Sequence, residues 1–141
     1  METKDLCLLI KQNQIRGKIF YPEKFEKKSA GIIFLCHGIP GGEKDSNDPG
    51  YESLARTLTA QEYITVVFNF RGAGESSGDF DLRGWAEDLR AVVDFVSPVG
   101  NTSLPVILFG FSAGAAVAIY AFAHNDSRIK GLILCGCPAN F

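Results

Sequence analysis

Gly110-Phe111-Ser112-Ala113-Gly114 sets a serine between two glycines, each two residues away. An apolar run, Leu104-Pro105-Val106-Ile107-Leu108-Phe109, precedes it, and an alanine-rich run from Ala115 to Ala123 follows. A strand that turns sharply into a helix leaves no room for bulk beside the turn, and glycine at 110 and 114 tolerates the tight backbone there. The serine hydroxyl is then held above a sheet at the start of a helix, the geometry of a nucleophile elbow. A match to this pattern alone turns up by chance in about one chain of this length in twenty. The strand before it and the helix after it make it specific. The plainer alternative is a serine that merely begins a helix.

A second group lies at the end of another apolar run. Gly31-Ile32-Ile33-Phe34-Leu35-Cys36 leads into His37-Gly38-Ile39-Pro40-Gly41-Gly42. In an open α/β sheet, ligands bind outside the carboxyl ends of the strands, and both groups lie at such ends. Glycines 38, 41 and 42 leave backbone N–H groups unhindered. Two N–H groups aimed at a carbonyl oxygen stabilise the charge it acquires under nucleophilic attack, and losing one costs about 3 kcal/mol. A phosphate-holding or merely flexible loop is the alternative, but the G-x-G-x-x-G spacing of a dinucleotide site is absent.

The elements that must position these groups can be read from periodicity. Residues 6–10 and 15–21 form a hairpin across a polar connection at 11–14, and 22–29 is a charged loop. Runs 31–36, 63–70, 105–109 and 131–135 are apolar throughout, as in parallel strands covered on both faces. Asp48-Pro49 caps a helix in which Tyr51, Leu54, Ala55 and Leu58 recur at helical spacing. From Gly84 on, Trp85, Leu89, Val92, Val93 and Val96 define an inner face, with Glu87, Asp88, Arg90 and Asp94 expected to face outward. The β-β-β-α-β-α-β-α-β order gives an α/β fold of three layers, α/β/α, around a mostly parallel sheet, all in a single domain over 1–141.

Composition narrows the function. The 141 residues are 46% hydrophobic and 21% charged, with a net charge of −2, which gives no reason to expect nucleic acid or a membrane as partner. The polar start, Met1 to Asp5, has no signal-peptide pattern, so a cytoplasmic location is expected. Cys7, Cys36, Cys135 and Cys137 show no metal spacing and are expected to be reduced and buried. Cys36 and Cys135 should be separated by one intervening strand, about 9–10 Å and beyond disulfide reach. No metal or organic cofactor is expected.

Taken in order, the hairpin, the His37-Gly38 strand end, Arg71-Gly72-Ala73-Gly74-Glu75-Ser76 after strand 63–70, and the Ser112 elbow resemble the α/β-hydrolase superfamily. The H-G-x-x-G-G loop is most similar to the serine aminopeptidase or lysophospholipase-like esterase branch. The resemblance implies a serine hydrolase acting on a small-molecule ester or amide. It makes Ser112 the nucleophile, the N–H groups of Ala113 and Ile39 the oxyanion hole, and His37 a residue that shapes the loop. An acyltransferase on the same scaffold would share the acyl-enzyme.

The superfamily continues past the elbow strand with an acid and then a histidine. After Ser112 this chain holds only His124 and Asp126, beyond a helix that runs back to the far edge of the sheet. His124 should lie about 18 Å from Ser112, and both residues are expected in a surface loop. The chain stops just past strand 131–135. It is therefore expected to lack the last strands and to be the N-terminal part of a longer enzyme, inactive alone. The alternatives are a partner chain that supplies the rest, or a non-catalytic binding module on the same fold. Strand 131–135 should be an open apolar edge through which copies of the chain associate.

Overall fold

A computed structural model describes residues 1–23, 29–40, 50–98, 104–123 and 126–138. The sequence-predicted Asp48-Pro49 cap, Gly41, Gly42 and His124 lie outside these residues. The elements are β1 (Glu2–Ile10), β2 (Asn13–Tyr21), β3 (Gly31–Cys36), α1 (Gly50–Ala60), β4 (Tyr63–Phe68), α2 (Leu82–Val96), β5 (Val106–Phe111), α3 (Ala113–Ala121) and β6 (Ile129–Cys135). They follow the expected order.

One six-stranded sheet runs β1-β2-β4-β3-β5-β6. β4, β3, β5 and β6 are parallel, and the β1–β2 hairpin is attached to β4 by antiparallel pairing. The hairpin extends further than its apolar run predicts. A tight connection at Lys11-Gln12 sets a register that continues through polar pairs such as Asp5 with Lys18.

Side-chain alternation along β3 builds two cores. Ile32, Phe34 and Cys36 face α2 and α3 and pack with Trp85, Leu89, Val93 and Val117. Ile33 and Leu35 face α1 and pack with Phe20 and Ala55. All six β3 residues are buried for this reason, and helices cover both faces of the sheet. No helix among the described residues is long and apolar enough to cross a membrane.

Three expectations fail on packing grounds. β6 is the open edge expected of it but is not covered on both faces as its apolar run suggested: Leu132, Ile133 and Leu134 are 47%, 42% and 40% exposed. It is the outer strand beside β5, with no further strand against its other edge among the described residues. Cys7, Cys135 and Cys137 are exposed, and only Cys36 is a buried thiol. Asp88 does not face outward but is fully buried. It lies one turn on from Trp85, on the inner face of α2, where a cation from the β4–α2 loop meets it.

Candidate active site at the β5–α3 corner

Ser112 occupies the corner between β5 and α3 with φ 53° and ψ −119°, a backbone conformation that costs a non-glycine residue about 1–3 kcal/mol. The surroundings hold it there. Its N–H donates to the carbonyl of Cys135 at 2.8 Å, and its own carbonyl accepts from Ala115 N–H at 3.0 Å. A Cβ on Gly110 would lie 2.5 Å from Ala115 Cα, and one on Gly114 would overlap the carbonyl oxygens of Cys36 and His37. The two glycines of the motif are therefore required by space. Ser112 is exposed, and its side chain caps nothing in α3.

The loop after β3 packs directly on this corner. A Cβ on Gly38 would lie 3.3 Å from Ser112 Cβ and 3.2 Å from Phe111 O. Among the described residues, no hydrogen bond takes up the N–H of Ile39 or of Ala113. Ala113 is the first residue of α3, so its N–H belongs to the open, positive end of a helix. The structure thus packs Gly38 against Ser112 at the carboxyl ends of β3 and β5, with Ile39 the next residue of that loop and Ala113 the next residue of the chain.

His37 points into the protein and is 7% exposed. Its Nε2 accepts the backbone N–H of Phe70 at 3.0 Å, so the ring proton must sit on Nδ1, which donates to Gly38 O at 2.6 Å. Phe70 and Trp85 meet the ring edge-on at 5.0 and 5.2 Å. Burial lowers its pKa from 6.5. With both nitrogens bonded, the imidazole has no free lone pair to take a proton from Ser112.

Sequence reasoning missed the buried pair Arg71–Asp88. Asp88 accepts from Arg71 N at 2.9 Å and from Arg71 Nη2 at 2.7 Å. Trp85 Nε1–H donates to Arg71 O at 3.0 Å. Hydrogen bonding to Asp88 raises the Arg71 pKa. The signal was present, since Asp88 sits at i+3 from the inward Trp85 and i+4 from Gly84. Asp126 is half-buried and paired, contrary to a plain surface loop: Arg128 Nη2 donates to it at 2.7 Å, which lowers the Asp126 pKa. Arg128 O accepts from Val106 N–H at the start of β5, so Asp126 lies at the opposite end of the strand from Ser112.

The sequence profile of the family described as "Serine aminopeptidase, S33" matches residues 27–140. The chain belongs to this family of α/β hydrolases. Human monoglyceride lipase is 31% identical to this family member over 107 residues, covering 73% of this chain and 33% of the lipase. Mouse lysophosphatidylserine lipase ABHD12 is 31% identical over 108 residues, covering 77% of this chain and 26% of that protein. A lidless α/β serine hydrolase from Xanthomonas campestris superposes with a TM-score of 0.79 at 29% identity, over 98% of this chain and 62% of the other. An α/β serine hydrolase homologue from Coxiella burnetii gives a TM-score of 0.72 at 32% identity, over 93% and 61%. This α/β hydrolase chain therefore spans about a third of the length of human monoglyceride lipase.

Proposed function

We propose that this chain carries the nucleophile and oxyanion hole of a serine hydrolase that cleaves carboxylic esters or small amides through an acyl-enzyme on Ser112. The observation that carries the reading is an exposed serine at φ 53°, packed against the Gly38 loop, with no partner among the described residues for the N–H of Ile39 or Ala113. The names of the lipase relatives favour an ester.

Ser112 Oγ attacks the substrate carbonyl carbon as its proton passes to a base. The carbonyl oxygen becomes an oxyanion and accepts from Ile39 N–H and Ala113 N–H. Collapse breaks the ester or amide bond, and the leaving alcohol or amine takes the proton from the base. Water then attacks the acyl-Ser112 carbonyl by the same sequence, releasing the acid. The donors act where charge develops, and each lowers the barrier by about 3–4 kcal/mol. Among the described residues no histidine stands free beside Ser112 to act as that base, since both ring nitrogens of His37 are already bonded.

The absence of a base beside Ser112 among the described residues favours a second reading, a binding module that keeps the fold without the chemistry. Mass spectrometry separates the two. The enzyme carrying this chain, mixed briefly with p-nitrophenyl butyrate, should gain one butyryl group on the Ser112 peptide. A folded protein that releases p-nitrophenol without that adduct, or releases none, overturns the acyl-enzyme reading. Adding an alcohol acceptor distinguishes transfer from hydrolysis by the product formed.

A further inference from the structure

A buried carboxylate in α2 is joined to the oxyanion loop by an unbroken chain of contacts. Asp88 is fully buried and binds Arg71 through both the backbone N–H and the guanidinium. Trp85 fixes the other side of the same peptide by donating to Arg71 O at 3.0 Å, and its indole stacks on Phe70 at 4.4 Å. The backbone at 70–71 is thereby immobilised from three directions. Phe70 N–H is the group that donates to His37 Nε2. It forces the His37 proton onto Nδ1, and that proton holds Gly38 O at 2.6 Å.

The last link is set by covalent geometry. Gly38 C=O and Ile39 N–H belong to one peptide unit, which is planar, and no peptide bond here is cis. The two groups therefore point in opposite directions. Holding Gly38 O against the buried His37 ring turns Ile39 N–H away from the core, on the loop that packs against Ser112. If the ring proton moved to Nε2, Phe70 N–H would lose its acceptor and Gly38 O its donor together. The Ile39 amide would then be free to rotate.

We infer that Asp88 is a positioning residue for catalysis, aiming the Ile39 oxyanion donor through Arg71, Phe70 and His37. The inference rests on the oxyanion role proposed for Ile39. It assigns a task to an acid in α2 that touches neither substrate nor Ser112. It also explains Gly84, where a Cβ would lie 2.5 Å from Arg71 Nη1 and displace the guanidinium from its place across the helix.

The test uses the enzyme carrying this chain, with p-nitrophenyl butyrate as probe and 15N-labelled histidine as reporter. Asp88→Asn is expected to lower kcat about 10- to 100-fold, less than outright loss of an oxyanion donor, while KM stays within about twofold. Its His37 15N signals should move from a fixed Nδ1–H tautomer towards a mixture. Gly84→Ala keeps both charges and serves where Asp88→Asn does not fold. It should shift kcat and the His37 signals in the same direction by a smaller factor. Asp88→Glu should recover part of the lost kcat. A folded Asp88→Asn or Gly84→Ala protein with unchanged kcat, or with reduced kcat and an unmoved His37 tautomer, overturns the inference. Turnover that survives Ser112→Ala refutes the hydrolase reading instead, and the His37 spectra still show whether Asp88 governs the tautomer.

Discussion

Ser112 and His37 perform opposite tasks within a few residues of the same corner. Ser112 is exposed in a strained backbone with its hydroxyl free of capping, whereas His37 is buried with both nitrogens occupied. If the acyl-enzyme proposal holds, substituting Ser112 by alanine should reduce ester turnover by about 10⁶, as loss of a triad nucleophile does elsewhere. Ester hydrolysis assays check this. His37 makes stability depend on pH. The unfolded chain binds a proton near pH 6.5, while the folded chain refuses it until a lower pH because the ring is buried. Stability should therefore fall as pH drops below about 6.5, and a His37→Gln variant should flatten that part of a urea-denaturation profile. Gly114→Ala forces a methyl onto the carbonyls of Cys36 and His37. It should cost about 1–3 kcal/mol, read as a lower unfolding midpoint.

Element identity was legible wherever burial on both faces wrote an unbroken apolar run. β3 and β5 end within two residues of their predicted limits, and Ser112 falls at the turn between β5 and α3 as the glycine spacing predicts. The hairpin was underestimated because antiparallel pairing continues through polar residues that no apolar pattern marks. Asp88 was misassigned because a charged residue in a helix ordinarily faces water. Its place at i+3 from Trp85 did mark the inner face, but the partner that lets a charge sit there, Arg71, lies 17 residues earlier in the chain, and no local pattern reports it. The loop after β3 was legible as a strand-end loop, and Gly38 does pack on Ser112; Gly41 and Gly42 lie outside the described residues. Replacing Arg71 by alanine strands the Asp88 charge at zero exposure. It should destabilise the fold by about 3–5 kcal/mol, far more than loss of the exposed Lys18–Glu52 pair. Thermal denaturation of the two variants gives the comparison.

Taken whole, the molecule is a three-layer sandwich whose sheet ends, among the described residues, in the polar hairpin strand β1 on one side and in β6 on the other. The apolar edge is β6, with Leu132, Ile133 and Leu134 half exposed. An apolar parallel edge of this kind recruits another strand, so residues 1–141 alone should self-associate through β6. Light scattering after size exclusion at micromolar concentration checks this, and a clean monomer contradicts it. The same edge adjoins the site, because Cys135 O at the end of β6 anchors Ser112 N–H. Whatever covers β6 therefore borders Ser112, where a base would have to stand. The central claim is that Ser112 is that nucleophile. Its most direct test is a fluorophosphonate probe on the enzyme carrying this chain, followed by peptide mapping. One adduct on Ser112, absent in Ser112→Ala, is the predicted result; a folded protein left unlabelled at Ser112 would contradict the account.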